Sequence, residues 1–204
     1  MPRAIEISLT LALLIAVAPV AIAVALAVRI GLGRPVLFRQ VRAGRGGHPV
    51  VIHKFRSMSD ARDASGALLP DAERTNGVGR VIRRYRFDEI PQLLSILRGD
   101  TALVGPRPLL PETVSGFGPA GDVRARVRPG LTGWAQISGN SRLSDIEKVS
   151  LDLWYVEHRS ATLDLAILGM TIRTLLIGEI RAEERIRAAR DGLSAQAGLG
   201  AGRP

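Results

Sequence analysis

Residues 7–28, ISLTLALLIAVAPVAIAVALAV, form a run of 22 positions without a charged side chain. A helix of that length matches the ~30 Å hydrocarbon core of a bilayer. A cleaved signal peptide is the competing interpretation, because Ala21, Ala23 and Ala25 give an A-x-A arrangement of small residues. The run is longer than the ~7–15 residue apolar core of such peptides, and no disulfide-bearing secreted domain follows it. The stretch therefore predicts a membrane segment.

Pro19 lies near the middle of this run, where its missing N–H removes one helical hydrogen bond. A helix broken there has two arms of about 12 residues, or ~18 Å each, which is too short to cross the bilayer. Arg3 and Arg29 place a cation at each end, which favours the cytoplasmic side for both ends. We expect a re-entrant membrane helix within residues 1–34 that is broken at Pro19, although a kinked spanning helix fits these residues equally well.

The composition restricts the chemistry of the chain. Its 204 residues are 46% apolar, which is enough for one hydrophobic core. Cysteine is absent, which excludes disulfides, zinc–thiolate sites and thiol nucleophiles. The formal net charge of +9 favours anionic partners, namely nucleic acid, phospholipid headgroups or phosphorylated substrates. Aromatic residues make up only 4%, and the sequence has no nucleic-acid reader motif, so we expect no nucleic-acid partner.

The remaining sequence predicts mainly helices and one β-hairpin. Residues 34–42 and 50–58 have the composition of strands, and the glycine-rich stretch between them predicts a turn. Residues 79–85 predict a short helix, and residues 143–158 and 163–177 predict two longer helices rich in apolar side chains. The fold class is therefore α+β: a mainly helical, membrane-associated domain with a small hairpin and amphipathic helices at the bilayer interface.

The sequence predicts three parts. Residues 1–34 form the membrane segment, and residues 35–182 form a cytoplasmic domain that includes the interfacial helices. Residues 183–204 form a C-terminal tail that is rich in Arg, then in Ala and Gly. We expect this tail to be disordered, most of all after about Gly192.

Two short motifs hold charged side chains in fixed settings. Asp88 precedes a predicted helix that Pro91 begins and Gly99 ends, so we expect Asp88 to cap it. A carboxylate at a helix start gains from the positive end of the helix dipole and stays ionised at neutral pH. A capping role alone also accounts for Asp88. Arg107 lies between two prolines, which fix the backbone on both sides of one cation and suit the recognition of an anion or a base.

Four blocks occur in order along the chain, KFRSM, RRYRFDEIPQLL, LRGDTALVGPRPLLPE and VRPGLTGWAQISG, at residues 54–58, 83–94, 97–112 and 127–139. They closely resemble the signature blocks of the small monotopic phosphoglycosyl transferases, the bacterial sugar transferase family. The loop SDARDASGALLPDAER, residues 59–74, resembles the subgroup of bacillosamine-phosphate transferases. The resemblance extends over nearly the whole chain.

The resemblance implies a catalytic pair at Asp88 and Glu89. Asp88 is the implied nucleophile, which attacks the sugar-bearing phosphorus of a UDP-sugar, releases UMP and forms a covalent phospho-sugar intermediate with ping-pong kinetics. The implied cofactor is Mg²⁺, held in part by Glu89. The other implied roles are phosphate binding by Lys54, Arg83 and Arg128, and nucleotide binding by Pro106, Arg107 and Pro108.

The implied partners are a UDP-sugar donor, an undecaprenyl phosphate acceptor and membrane lipids, at the cytoplasmic face of a bacterial inner membrane. We expect an acetamido or amino sugar from the subgroup. The alternative is a galactose or glucose phosphotransferase of exopolysaccharide or O-antigen synthesis. Family members break the membrane helix at a Ser-Pro pair, for which this chain has Ala18-Pro19. A catalytically silent membrane scaffold is the other class of function, against which the intact Asp-Glu pair stands, and a homodimer is left open.

Overall fold

The computed structural model describes the backbone of residues 1–200 and the side chains of residues 1–192. Its packing divides the chain into two compact units. The first unit comprises Met1–Glu6, Val41–Val50 and the chain from Gly99 onward, and the second comprises Ile7–Gln40 and Val51–Arg98. These units do not coincide with the three predicted parts, whose boundaries lie after residues 34 and 182. The predicted membrane, cytoplasmic and C-terminal parts therefore stay predictions.

Helix α1, Arg3–Gly31, is continuous and contains Pro19 in its interior. The break predicted at Ala18-Pro19 therefore does not interrupt the helix. Part of the physical reason lies in the residues nearest to Pro19, where four alanines of high helix propensity alternate with Val and Ile at residues 15–23. Apolar side chains project outward along α1, with Ile15 75% exposed and Ile30 86% exposed. Among the described residues, α1 is the one helix that is long and apolar enough to cross a membrane.

The predicted β-hairpin is confirmed. Strand β1, Leu37–Ala43, pairs with strand β2, Pro49–Phe55, and the connection contains the short 3-10 helix Arg45–Gly47. Gly46 has φ 67°, a left-handed value that glycine adopts without steric cost. The tight turn therefore depends on the glycines that predicted it.

After β2, the second unit continues with a non-helical segment at residues 56–70 and then with short helices. It contains α2, α3, a 3-10 helix and α4, at Asp71–Arg74, Gly77–Arg84, Phe87–Glu89 and Gln92–Arg98. Val28 of α1, Phe55 of β2 and Ile82 of α3 are buried in one cluster. Gly79 lets α3 approach the end of β2, because a Cβ at this position would lie 2.0 Å from the carbonyl oxygen of Ser57. This close approach fixes α3, and the 3-10 helix after it, against β2.

The first unit contains a parallel strand pair that the sequence analysis did not predict. Strand β3, Ala102–Val104, and strand β4, Gly130–Thr132, pair with Ala102 opposite Gly130. Three residues are too few to show an alternating pattern. Two short helices, α5 and α6, at Pro111–Gly116 and Pro119–Arg124, lie between these strands in sequence, and α7, Trp134–Ile137, follows β4.

Three longer helices complete the first unit, α8, α9 and α10, at Asp145–His158, Ala161–Ile177 and Glu183–Gly200. The first two confirm the predicted helices. The third differs from the disordered tail predicted from residue 183, because Ile186 and Ala189 are buried beside Leu143 and Leu151. Two apolar residues three positions apart in the Arg-rich segment thus anchor α10. Residues 201–204, and the side chains of residues 193–200, lie outside the described residues, so the expectation for that part stays a prediction.

Candidate active site

A strained turn precedes the Asp88-Glu89 pair. Helix α3 ends at Arg84, and Arg86 adopts the left-handed conformation with φ 55° and ψ 25°. The N–H of Glu89 donates to the carbonyl oxygen of Arg86 at 3.1 Å and closes the 3-10 turn. A non-glycine residue in this region costs on the order of 1–2 kcal/mol. Backbone strain of this kind concentrates at functional sites.

The structure corrects the expected role of Asp88 as a helix cap. Asp88 lies inside the 3-10 turn Phe87–Glu89, and α4 begins only at Gln92. The reason is the left-handed Arg86, which starts a tight turn two residues before Asp88. The side chain of Asp88 is 16% exposed and that of Glu89 is 9% exposed. The turn therefore presents two adjacent carboxylates that are largely shielded from solvent.

Lys54 joins this pair from strand β2. Its ammonium nitrogen lies 2.8 Å from Oε1 of Glu89 and 4.0 Å from Oδ2 of Asp88. The structure thus brings these three residues together, and their catalytic and phosphate-binding roles stay predictions. Charges in a partly buried setting are screened less by salt than charges on an open surface. The lysine therefore offsets the repulsion between the two carboxylates and any anion that approaches them.

Two arginines that precede Asp88 and Glu89, one in α3 and one at the start of the turn, have different surroundings. Arg83, predicted to bind the substrate phosphate, is exposed, and its guanidinium lies 2.9 Å from the sulfur of Met58. Arg86, which the sequence analysis did not select, places Nη1 4.0 Å from Oε2 of Glu89. The sequence contains one indication of this contact, because side chains three positions apart, such as Arg86 and Glu89, are neighbours on a helical turn. We call Asp88 and Glu89 the dyad. Its Glu89 thus has a cation near each carboxylate oxygen, Lys54 from β2 and Arg86 from its own turn.

In the first unit, the predicted nucleotide-binding residues follow strand β3. Pro106 is buried, and its carbonyl oxygen accepts a hydrogen bond of 2.8 Å from the N–H of Gly130. Arg124 donates from its guanidinium to the carbonyl oxygen of Arg107. The same guanidinium donates to Oδ2 of the buried Asp152 at 2.7 Å. A buried ion pair therefore holds the backbone of the Pro106-Arg107-Pro108 loop.

A second cation accompanies Arg107. Burial, and then the charge of Arg107, lower the pKa of the Arg42 guanidinium, against the opposing effect of Glu112. Arg42 lies in strand β1, whose Ala43 donates its N–H to the carbonyl oxygen of Leu109 at 2.9 Å. Arg42 was not predicted as a functional residue, because no local motif in the sequence marks it. Arg42 of β1 is therefore close enough to Arg107 for their charges to interact, and paired guanidinium groups favour a phosphate or diphosphate.

Arg128, the third predicted phosphate ligand, also lies in the first unit, whereas Lys54 and Arg83 lie in the second. Its guanidinium donates to Oε2 of Glu6 at 2.8 Å and to the carbonyl oxygen of Thr101 at 3.1 Å. Arg128 also lines a polar cavity of about 290 Å³. In this structure Arg128 is thus part of an ion pair beside a cavity that is wide enough for a small anion.

The carboxylates limit which metal could bind. Among the described residues, no group of three or more His, Cys, Asp or Glu side chains could hold a metal ion. Asp88 and Glu89 provide two adjacent carboxylates, of which Oε1 of Glu89 contacts Lys54. Mg²⁺ at phosphate-transfer sites needs only one or two carboxylates, because substrate oxygens and water complete its shell. The dyad therefore fits a Mg²⁺ ion shared with a phosphate substrate, and it does not form a dedicated metal cage.

Comparisons with known proteins relate the chain to one family. The sequence profile described as bacterial sugar transferase matches residues 1–178. The uncharacterized sugar transferase EpsL of Bacillus subtilis is 49% identical over 148 residues, which cover 72% of this chain and 73% of that protein. The UDP-N-acetylgalactosamine-undecaprenyl-phosphate N-acetylgalactosaminephosphotransferase of Aeromonas hydrophila is 40% identical over 152 residues, covering 71% of this chain and 36% of that protein. The undecaprenyl-phosphate glucose phosphotransferase of Komagataeibacter xylinus is 40% identical over 153 residues, covering 68% of this chain and 29% of that protein. The chain therefore spans only about a third of the length of the latter two relatives.

Proposed function

Because the chain belongs to the bacterial sugar transferase family, a family of enzymes, we propose that it transfers a sugar-1-phosphate from a UDP-sugar to undecaprenyl phosphate. The names of the two transferases with a stated acceptor support undecaprenyl phosphate. The observation that carries the proposal is the pair Asp88 and Glu89, shielded from solvent and 2.8–4.0 Å from the ammonium group of Lys54. This arrangement supplies a nucleophile and the positive charge that a nucleophile needs against a diphosphate.

In the first half-reaction, a carboxylate oxygen of Asp88 attacks the sugar-bearing phosphorus of the UDP-sugar. A new O–P bond forms, and the bond between that phosphorus and the bridging oxygen breaks. UMP leaves with the electron pair of the broken bond. Lys54, beside both carboxylates, lowers the repulsion between the attacking oxygen and the diphosphate.

In the second half-reaction, a phosphate oxygen of undecaprenyl phosphate attacks the same phosphorus. The bond to Asp88 breaks, the carboxylate is regenerated and the lipid-linked sugar diphosphate is released. Two displacements through one covalent intermediate give ping-pong kinetics. The low exposure of Asp88, 16%, supports this route because an acyl phosphate must be shielded from water between the two steps.

The dyad fits Mg²⁺ as a cofactor, which Glu89 would help to hold together with oxygens of the substrate and water. When bound, Mg²⁺ would neutralise the diphosphate charge and stabilise the departing UMP. Glu89 is held in place by Lys54 and by its position in the 3-10 turn. Its carboxylate is thereby oriented before substrate arrives.

The Pro106-Arg107-Pro108 loop is our candidate for nucleotide binding. Its arginine is pinned by a proline on each side and by the contact of Arg124 with its carbonyl oxygen. Arg42 adds a second cation near Arg107. Two guanidinium groups suit the phosphates of a UDP-sugar, because each can donate two hydrogen bonds to one phosphate.

The sugar is the finer part of the proposal. The resemblance of residues 59–74 to the bacillosamine subgroup supports an acetamido or amino sugar. The relatives' names support an N-acetylgalactosamine and a glucose equally, since their identities to this chain are both 40%. We therefore propose an acetamido sugar and retain glucose or galactose as the alternative to be tested beside it.

Helix α1 is our proposed membrane anchor. Its exposed isoleucines fit a hydrocarbon environment, because large apolar side chains in water would favour aggregation. Although α1 remains helical through Pro19, we propose that it kinks there in the membrane and re-enters the cytoplasmic face of the inner membrane, as its flanking arginines favour. Cysteines introduced at residues 3 and 40 should then both be labelled from the cytoplasmic side only.

The reaction is tested with the detergent-purified full chain, a panel of UDP-sugars and undecaprenyl phosphate, with UMP as the readout. We expect UMP with one or a few of the sugars and none after addition of EDTA, with recovery in excess Mg²⁺. Absence of UMP with every donor, in protein that remains folded, would contradict the proposal. UMP release that EDTA does not affect would contradict the Mg²⁺ assignment alone.

A further inference from the structure

Arg185 of α10 is a half-buried cation with neutral partners. Its guanidinium carbon lies 4.9 Å from the ring centroid of Trp134. Its nitrogens lie 3.4 Å from the carbonyl oxygen of Ile137 and 2.9 Å from the sulfur of Met170. In the described part of the chain, no carboxylate forms an ion pair with Arg185. A cation that loses water without gaining an anion is costly, so such groups normally have a counter-charge.

The charged residue near Arg185 is another cation. Burial, and then the charge of Arg173, lower the pKa of Arg185. Arg173 is exposed on α9, and both arginines line a cavity of about 50 Å³ together with Thr174. No carboxylate pairs with Arg173 among the side chains that the structure describes. A cavity of that size holds one or two groups the size of water, such as phosphate oxygens. The pair of guanidinium groups therefore favours an anion at this cavity.

Large apolar side chains surround the same cavity. Ile177 and Ile180 line it and are 64% and 48% exposed. Leu176, on the same last turn of α9, is 81% exposed, and Ile172 is 61% exposed. A contiguous group of exposed apolar residues marks a binding surface. A ligand that satisfies both the cations and this surface must itself be amphipathic, with an anionic head and an apolar tail.

We propose that Arg173 and Arg185 bind the phosphate of an anionic phospholipid, whose acyl chains lie along Leu176 and Ile177. Free phosphate would satisfy the cations but would leave the isoleucine and leucine side chains in water. A zwitterionic lipid would satisfy the apolar surface but would leave the two positive charges without a net counter-charge. The site involves none of the residues to which we assign transfer chemistry, so it does not rest on the proposed reaction.

The chain contains its own reporter for this site. Its two tryptophans, Trp134 and Trp154, stack at 4.9 Å, and Arg185 lies over the ring of Trp134. The intrinsic fluorescence of the full chain in non-ionic detergent can therefore be titrated with a short-chain phosphatidylglycerol. We expect a saturable change that weakens with added salt. Arg173→Gln should raise the apparent Kd by about tenfold, since one charged hydrogen-bond donor is lost.

Arg187→Gln is the matched control, because it removes one exposed positive charge from the same helix as Arg185 and should keep the apparent Kd within twofold. The proposal is overturned if short-chain phosphatidylcholine gives the same response as phosphatidylglycerol, or if Arg173→Gln binds like the unmodified protein. It is also overturned if inorganic phosphate competes at the same concentrations, which would indicate a site for free anions. Arg173 is exposed, so its substitution should leave the unfolding temperature unchanged and the comparison valid. The titration contains no UDP-sugar, so its result is separate from that of the transferase assay.

Discussion

The ammonium nitrogen of Lys54 lies 2.8 Å from Oε1 of Glu89, so a strand residue and a turn residue 35 positions apart meet in one site. Strand β2 and the 3-10 turn are brought together by α3, which Gly79 allows to approach the end of β2. The contact places a positive charge beside both carboxylates. Loss of the Lys54–Glu89 contact should lower the rate of transfer more than the stability of the fold.

Lys54→Gln should lower kcat/KM for the UDP-sugar by about 10²–10³, the usual effect of removing one electrostatic stabiliser. The other lysine, Lys148, forms an exposed pair with Asp145 and provides the control. Lys148→Gln should change kcat/KM less than twofold, because exposed pairs contribute little. Steady-state UMP release measures both. Equal effects of the two substitutions on kcat/KM would contradict a role for Lys54 in the transfer step.

At position 86, a glycine variant should be more stable than an alanine variant. The φ of 55° at this position is unfavourable for any residue with a Cβ, so Arg86→Gly should be more stable than Arg86→Ala by about 1 kcal/mol. Both variants lose the guanidinium, so their difference isolates the backbone. Thermal unfolding in detergent measures it.

The exposed Arg80, in the interior of α3, gives the opposite expectation. In a helix, glycine is less stable than alanine by about 0.8–1.0 kcal/mol, so the order of the two substitutions should reverse there. The same order at both positions would show that residue 86 is not left-handed in solution.

Arg124 should act as a positioning residue for the Arg107 loop. It donates both to the carbonyl oxygen of Arg107 and to Asp152, and its side chain is 4% exposed. Arg124→Lys keeps the charge but cannot make both contacts, because an ammonium group lacks the guanidinium fork. We expect the KM for the UDP-sugar to rise about tenfold, the order expected for one lost charged hydrogen bond, and kcat to change less than threefold.

The matched control for that change is Arg126→Lys, at an exposed position two residues away. It should leave KM unchanged. If Arg124→Lys lowers the unfolding temperature but leaves KM as it was, Arg124 supports the fold only and does not position the loop.

Glu147 should make the fold sensitive to acid. Hydrogen bonds from Arg181, and next from the N–H of Ser144, lower the pKa of this carboxyl from 4.5 to about 2. A carboxylate whose pKa is lower in the folded chain stabilises it fully above pH 4.5, and the contribution is lost as the pH falls towards 2. The unfolding temperature of Glu147→Gln should therefore fall less steeply over this range than that of the unmodified protein. Glu184→Gln, at an exposed position, should keep the original slope, and parallel curves for all three proteins would contradict the account.

Local patterns were sufficient for several elements. The glycine-rich turn predicted the hairpin, and Ser144 with Glu147 forms the capping box that begins the predicted helix α8. The motif around Asp88 and Glu89 indicated the dyad because its residue types and order are specific. In the hairpin turn and the capping box, the interactions that decide the structure lie within a few positions of one another.

Other features depend on residues that are far apart in sequence. Ala102 pairs with Gly130 across 28 positions, and three-residue strands carry no alternating pattern. The contact of Arg124 with the carbonyl of Arg107 involves a backbone group, which no residue pattern reveals. The left-handed Arg86 was also unexpected, because glycine or asparagine is the usual residue in that conformation. Its position next to Asp88 and Glu89 is consistent with the tendency of strained backbone conformations to occur at functional sites.

The central claim is that Asp88 becomes covalently linked to a sugar phosphate. Intact-protein and peptide mass spectrometry after rapid acid quench, with the accepted UDP-sugar and no undecaprenyl phosphate, tests it most directly. We predict a mass increase equal to one sugar-phosphate group on the peptide that contains Asp88, and its loss when undecaprenyl phosphate is added. Asp88→Asn should show no adduct, and the surface control Asp71→Asn, whose carboxylate is 65% exposed, should show the full adduct. An adduct that persists in Asp88→Asn, or UMP release that requires the acceptor from the first turnover, would contradict the claim.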